Sequence, residues 1–162
     1  GLRDTPYGYG MAKIDKDSNL IWKFSDAAHH DFYVDGKSNI HVITQDFVHS
    51  SQEGSPRMEY PILNDYIVTL SPDGKELSRI SVLKAFRDTP FEQLLLAPLR
   101  GKETWDPLHT NSVVTLEPEM AAAFPMFKPG HMLISMRTLS ILAVIDPASG
   151  KVVWAYNGLW KR

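Results

Sequence analysis

The sequence predicts an all-β protein built from antiparallel sheets of four short strands, and three observations predict it. Runs rich in Val, Ile, Tyr and Trp recur along the chain; many are separated by compact turn formers; helical patterns are confined to two brief inserts. The chain of 162 residues is 43% hydrophobic and 22% charged, which is the balance of a folded globular protein able to bury a core.

The elements follow in order. Gly10 to Ile14 and Leu20 to Phe24 form a first hairpin about Asp17-Ser18-Asn19. Asp31 to Val34 and Ile40 to Thr44 flank Asp35-Gly36, and Tyr66 to Ser71 and Glu76 to Val82 flank Pro72-Asp73-Gly74. A helix is predicted over Pro90 to Ala97, because Thr89 supplies a cap and Pro90 suits the first helical position. Ser112 to Leu116 reads as a strand, and Pro118 to Phe124 as a second helix with acidic residues in its first turn. His131 to Met136, Ile141 to Asp146 and Lys151 to Tyr156 close the series, the last two joined by Pro147-Ala148-Ser149-Gly150.

Three hairpins share a template: an apolar strand, often ending at an Asp, then a turn, then a strand often closing on Trp. Ala12-Lys13-Ile14-Asp15 leads to Leu20-Ile21-Trp22, Ile67-Val68-Thr69-Leu70 leads to Ser78-Arg79-Ile80, and Ala143-Val144-Ile145-Asp146 leads to Val152-Val153-Trp154. Repeated hairpins of this kind suit the outer strands of β-propeller blades, whose faces are buried only against neighbouring blades. Their spacing of roughly 55 to 75 residues exceeds the ~40 to 50 of common propeller repeats because loops and helices are inserted. About three blades fit the chain, and a ring needs roughly four to eight. The expectation is therefore a single partial propeller domain over residues 1 to 162, a fragment completed by the rest of a longer protein or by other chains.

Charge and composition narrow the partners. Seventeen Lys and Arg against 19 Asp and Glu leave a formal charge of −2, so no broad basic field exists for nucleic acid or an anionic membrane. The absence of Cys excludes disulfide scaffolds, thiolate zinc sites and thiol catalysis. Apolar runs such as Leu94 to Ala97 and Ile141 to Ile145 are far shorter than the roughly 20 residues of a membrane span. No signal peptide is recognisable before the first strand. Asp15, Asp31, Asp35, Asp73 and Asp146 are scattered among turns rather than set in the dense acidic loop of a calcium site, so no metal is indicated.

Six His stand at 29, 30, 41, 49, 109 and 131, and two contexts are unusual. His29-His30-Asp31-Phe32 enters a strand just after the hairpin ending in Trp22-Lys23-Phe24, where an outer strand hands over to the innermost strand of the next blade. Asp106-Pro107-Leu108-His109-Thr110-Asn111-Ser112 places His109 at another strand entrance, beside side chains that can fix an imidazole tautomer. Arg137, after the apolar strand ending at Met136, needs a carboxylate partner or an anionic ligand for its guanidinium fork. Two His and one Arg converging on an axis make a pocket for a tetrahedral anion. Each has a plainer reading: a strand-end His bonded to backbone for His30, an ordered loop for His109, an inter-blade ion pair for Arg137. Trp105 can line an aromatic substrate site or pack in the core; Trp22 and Trp154 read as core, and His41, His49 and His131 as packing or surface residues.

These motifs, with Leu133-Ile134-Ser135-Met136-Arg137 and Gly150-Lys151-Val152-Val153-Trp154 in the same order, resemble the arylsulfotransferase family from about Met11 onward. The resemblance implies a six-bladed propeller that moves a sulfuryl group from a phenolic sulfate ester to a phenol, without a nucleotide sulfate donor or other cofactor. It implies a transiently sulfated His, lying after the last hairpin here and so missing from these residues. It assigns His30, His109 and Arg137 to catalysis and suggests a periplasmic or secreted protein. Beside them, His29, Asn111 and Trp105 are the candidates for contact with the substrate, and a homodimer is the alternative to completion of the ring by the rest of the protein. Two other classes remain open: a non-catalytic propeller scaffold, and a quinone-dependent dehydrogenase, whose blades carry hairpins like Ala143 to Trp154.

Overall fold

A computed structural model of the chain describes residues 8–52, 58–96 and 105–158. Ten strands lie within them: β1 (Met11–Ile14), β2 (Leu20–Phe24), β3 (Ala28–Val34), β4 (Ile40–Val48), β5 (Ile62–Leu70), β6 (Glu76–Ser81), β7 (Thr110–Thr115), β8 (Met132–Met136), β9 (Ile141–Asp146) and β10 (Lys151–Asn157). They form three antiparallel sheets, none closed: β1-β2, then β3-β4-β5-β6, then β7-β8-β9-β10. Every hydrogen-bonded neighbour within a sheet is also a neighbour in sequence, the topology that short turns enforce. The expected all-β architecture of consecutive hairpins is observed, with only the β1-β2 pair present in the first sheet.

The turns are fixed by short polar side chains. Asp15 Oδ1 accepts from the backbone N–H of Asp17 and Asn19, at 2.8 and 2.9 Å, and Ser18 turns left-handed at φ 66°. Asp35 repeats this with Lys37 and Asn39, and Ser38 also has φ 66°. These Asx turns satisfy the donors that a tight reversal strips from the ladder.

Two apolar layers hold the sheets face to face. Ala28, Ile40, Val42, Val68 and Leu70 of the second sheet meet Met11, Trp22 and Phe24 of the first. On its opposite face, Ile43 and Ile67 join Val113, Ile134, Ala143, Ile145 and Val152 of the third. A short helix α1 (Val82–Phe86) wedges into this second layer with Val82, Leu83, Ala85 and Phe86 buried. The sequence instead suggested that strand β6 ran on to Val82. Ser81 decides otherwise: its hydroxyl accepts from Lys84 N–H and caps the helix.

The helix expected over Pro90 to Ala97 is a 3-10 helix, Glu92–Leu96, with Ala97 outside the described residues. Thr89 does act at its start, accepting from Phe91 N–H at 3.2 Å. The second insert is α2 (Pro118–Ala122), with the acidic Glu119 in its first turn as expected, ending two residues short of the expected Phe124.

The contact between the first two sheets depends on Gly74. In the β5–β6 turn it has φ +81°, and a Cβ there would lie 2.6 Å from the indole of Trp22, whose Nε1 donates to Pro72 O at 3.1 Å. Gly74→Ala should therefore destabilise the fold by about 1–2 kcal/mol or more, combining left-handed strain with displacement of the ring. An unchanged urea midpoint would refute this.

Candidate active site

The entrance to β3 is bulged. Ala28 pairs with Thr44 and Phe32 with Val42, so the intervening ladder loses register. His30 sits in this bulge at φ 55°, a left-handed conformation unusual for a residue with a Cβ. The bend sends neighbouring side chains to different places. The His29 side chain is only 3% exposed, His30 stays exposed, and Asp31 Oδ2 accepts from Val113 N–H of β7 at 3.1 Å.

His109, immediately before β7, repeats the device at φ 50°. Asp106, three residues earlier, clamps it twice: Oδ1 accepts from the His109 backbone N–H at 3.2 Å, and Oδ2 lies 2.5 Å from Nδ1. Arg137 is held in register with it, its backbone N–H donating to His109 O at 3.0 Å. Its guanidinium reaches His109 Nε2 at 3.2 Å. A guanidinium only donates, so Nε2 is the acceptor there; the proton of a neutral His109 is on Nδ1, facing Asp106.

The structure therefore brings His30, His109 and Arg137 together at the seam of the second and third sheets. The His30 and His109 ring centroids are 4.9 Å apart, and His29 is 5.0 Å from His30 on its other side. Asn111 is the exposed extra residue of a second bulge, since Thr110 pairs with Met136 and Ser112 with Ser135. Trp105 is half-buried and anchored through its carbonyl to Leu63 N–H of β5, at 2.7 Å.

Two further residues belong to the cluster. Asp106 entered the sequence reading only as a loop residue. Asp65, on β5, did not enter it, although a carboxylate among Ile62, Leu63, Ile67 and Val68 was a readable signal. Its side chain is 2% exposed, and Oδ2 accepts from Thr110 N–H at 2.7 Å. The remaining His lie elsewhere. His41 is buried between Asp35 and Thr69, His49 is exposed, and His131 is buried near Lys128 and Asp146. Among the described residues no group of three or more His, Asp or Glu is arranged to hold a metal ion.

The electrostatics divide the site into a carboxylate back and an open front. Burial raises the Asp106 carboxyl above its ordinary range, against the bond and charge of His109 that lower it. Burial lowers the His30 imidazole, and His29 and His109 push the same way. A His depressed in the fold binds its proton more readily when unfolded, so its folded state is penalised as pH falls below about 6.5. His30→Gln should thus lose less stability than the parent between about pH 7 and pH 5 in urea titrations. Equal losses would contradict a depressed His30.

At the front, an always-charged fork stands beside two imidazoles, groups whose chemistry suits an oxyanion and proton exchange. The family model described as Arylsulfotransferase (ASST) matches residues 2–161, and the chain belongs to that family. No curated protein and no solved structure matches the chain. Phenols and sulfate esters are the substrates the family implies, and no helix among the described residues is long and apolar enough to cross a membrane.

Proposed function

We propose that the protein transfers a sulfuryl group from a phenolic sulfate ester to a phenol, with His30, His109 and Arg137 around the group in transit. The observation that carries this reading is the convergence of the three side chains, from β3 and the ends flanking β7 and β8, with the exposed His30 and Arg137 meeting at the buried His109. Sulfuryl transfer, like phosphoryl transfer, asks the protein to place an in-line nucleophile and stabilise charge on the equatorial and leaving oxygens.

On binding, Arg137 turns its fork from His109 Nε2 to two sulfate oxygens. A histidine outside these residues attacks sulfur, the S–O bond to the aryl group breaks, and the phenolate departs with its charge balanced by Arg137 and takes its proton from solvent. In the second half the acceptor phenol gives its proton to the bare Nε2 of His30 or His109, its oxygen takes the sulfuryl group from the sulfated His, and the imidazole returns that proton to solvent. Transfer in two halves gives ping-pong kinetics. The sheets are read as successive blades of a six-bladed propeller completed outside these residues, in a periplasmic or secreted protein.

The test is phenol-dependent release of nitrophenolate from nitrophenyl sulfate by the whole protein. Parallel lines in double-reciprocal plots are expected. Absence of transfer, with the fold intact, refutes the reading.

A further inference from the structure

His29 Nδ1 lies 2.7 Å from His30 Nδ1. Two imidazole nitrogens at that distance share one proton: one donates, the other accepts. Which one donates is set on the far side of His29. Its Nε2 is buried with no hydrogen-bond partner within ordinary geometry, and the nearest acceptor is Asp65 Oδ1 at 3.4 Å, also buried. An imidazole lone pair turned toward a buried carboxylate is repelled, whereas an N–H turned toward it is attracted across the same gap.

From this we infer that Asp65 acts as a positioning residue: through His29 it fixes the proton of His30 on Nδ1 and keeps His30 Nε2 unprotonated. The chain of groups runs from Asp65 on β5, through His29 Nε2–H, to His29 Nδ1 accepting from His30 Nδ1–H on the bulge of β3. Asp65 Oδ2, bound to Thr110 N–H, keeps the carboxylate from turning away. His109, held by Asp106 through its own Nδ1–H, presents Nε2 in the same sense. The exposed His30 ring and the buried His109 ring are thus set alike, each backed by a buried carboxylate, one through a second ring and one directly.

Among the described residues, the charged and titratable groups acting on His30 include His29, His109, Asp65 and Asp106. Burial and the two neighbouring rings keep it neutral, as the tautomer requires. Its part in turnover rests on the transfer reading above; its protonation pattern does not.

The test is a two-bond proton–nitrogen correlation spectrum of the ring nitrogens in the 15N-labelled chain near neutral pH, with His30 and His29 assigned from His30→Gln and His29→Gln. The expected result is a protonated Nδ1 and bare Nε2 at His30, with the reverse at His29. Asp65→Asn should invert both. The Asn oxygen keeps the bond to Thr110 N–H while its NH2 faces His29 Nε2, forcing that nitrogen to accept and moving each proton to the other side of its ring. A parent spectrum with His29 protonated on Nδ1 overturns the proposal without any variant. So does an Asp65→Asn spectrum with the fold retained and both tautomers unchanged. The expected tautomers in a protein without sulfuryl transfer would refute the function and leave this proposal standing.

Discussion

Arg137→Ala is expected to reduce turnover of a nitrophenyl sulfate donor by about 100-fold or more, with the midpoint of unfolding nearly unchanged. The reason is where Arg137 lies. It is exposed beyond the end of β8, and its guanidinium reaches His109 Nε2. Truncation therefore removes little buried surface. Under the proposed transfer, what it removes is a charged fork for the oxygens that gain charge in the transition state; deleting one such donor elsewhere costs about 3 kcal/mol of barrier, or a factor of about 100. Arg137→Lys should recover only part of the loss, because an ammonium cannot hold two oxygens in one plane. Full activity in Arg137→Ala would end the assignment. A large loss accompanied by an equal fall in stability would make Arg137 structural.

The largest expected effect on stability comes from Phe86→Ala. Phe86 is fully buried at the C-terminal end of α1, in the layer shared by the second and third sheets. The helix is a single turn capped at both ends by backbone in extended conformation, so it cannot slide inward to fill the hole. The expected cost is about 3–5 kcal/mol, the range for a large aromatic removed from a close-packed interior. A fall in the urea midpoint without a change in slope would show it. A cost under about 1 kcal/mol would mean that the layer closes around the gap.

Much of this architecture was legible because each hairpin is local. Short runs rich in Val, Ile, Tyr and Trp, many bounded by Asp, Gly, Ser or Pro at the reversals, mark all ten strands. One physical cause of misreading is that tertiary partners override local signals. Asn64 and Asp65 look like turn formers, so the strand was expected to begin at Tyr66, yet β5 begins at Ile62. Both are buried with partners: Asn64 bonds Ser81 and Leu83 N–H, and Asp65 bonds Thr110 N–H. The same misjudged boundary hid Asp65 from the site.

His30, His109 and Arg137 were legible from motif context, but their mutual distances were not, since they depend on two bulges and two left-handed residues that no periodicity announces. Helix α1 was missed because five residues are too few for a helical repeat to stand out from a strand ending.

The seam carries one more consequence. His30 is delivered by one sheet, His109 and Arg137 by the next, and the two sheets are tied there by Asp31 to Val113 N–H and by Asp65 to Thr110 N–H. Reactive alignment is thus a reading of how the two slabs sit against each other. Slippage by an ångström, too small to alter ellipticity, is enough to spoil it. If the proposed transfer takes place there, gentle warming should make it fade at temperatures where the strands themselves are still intact.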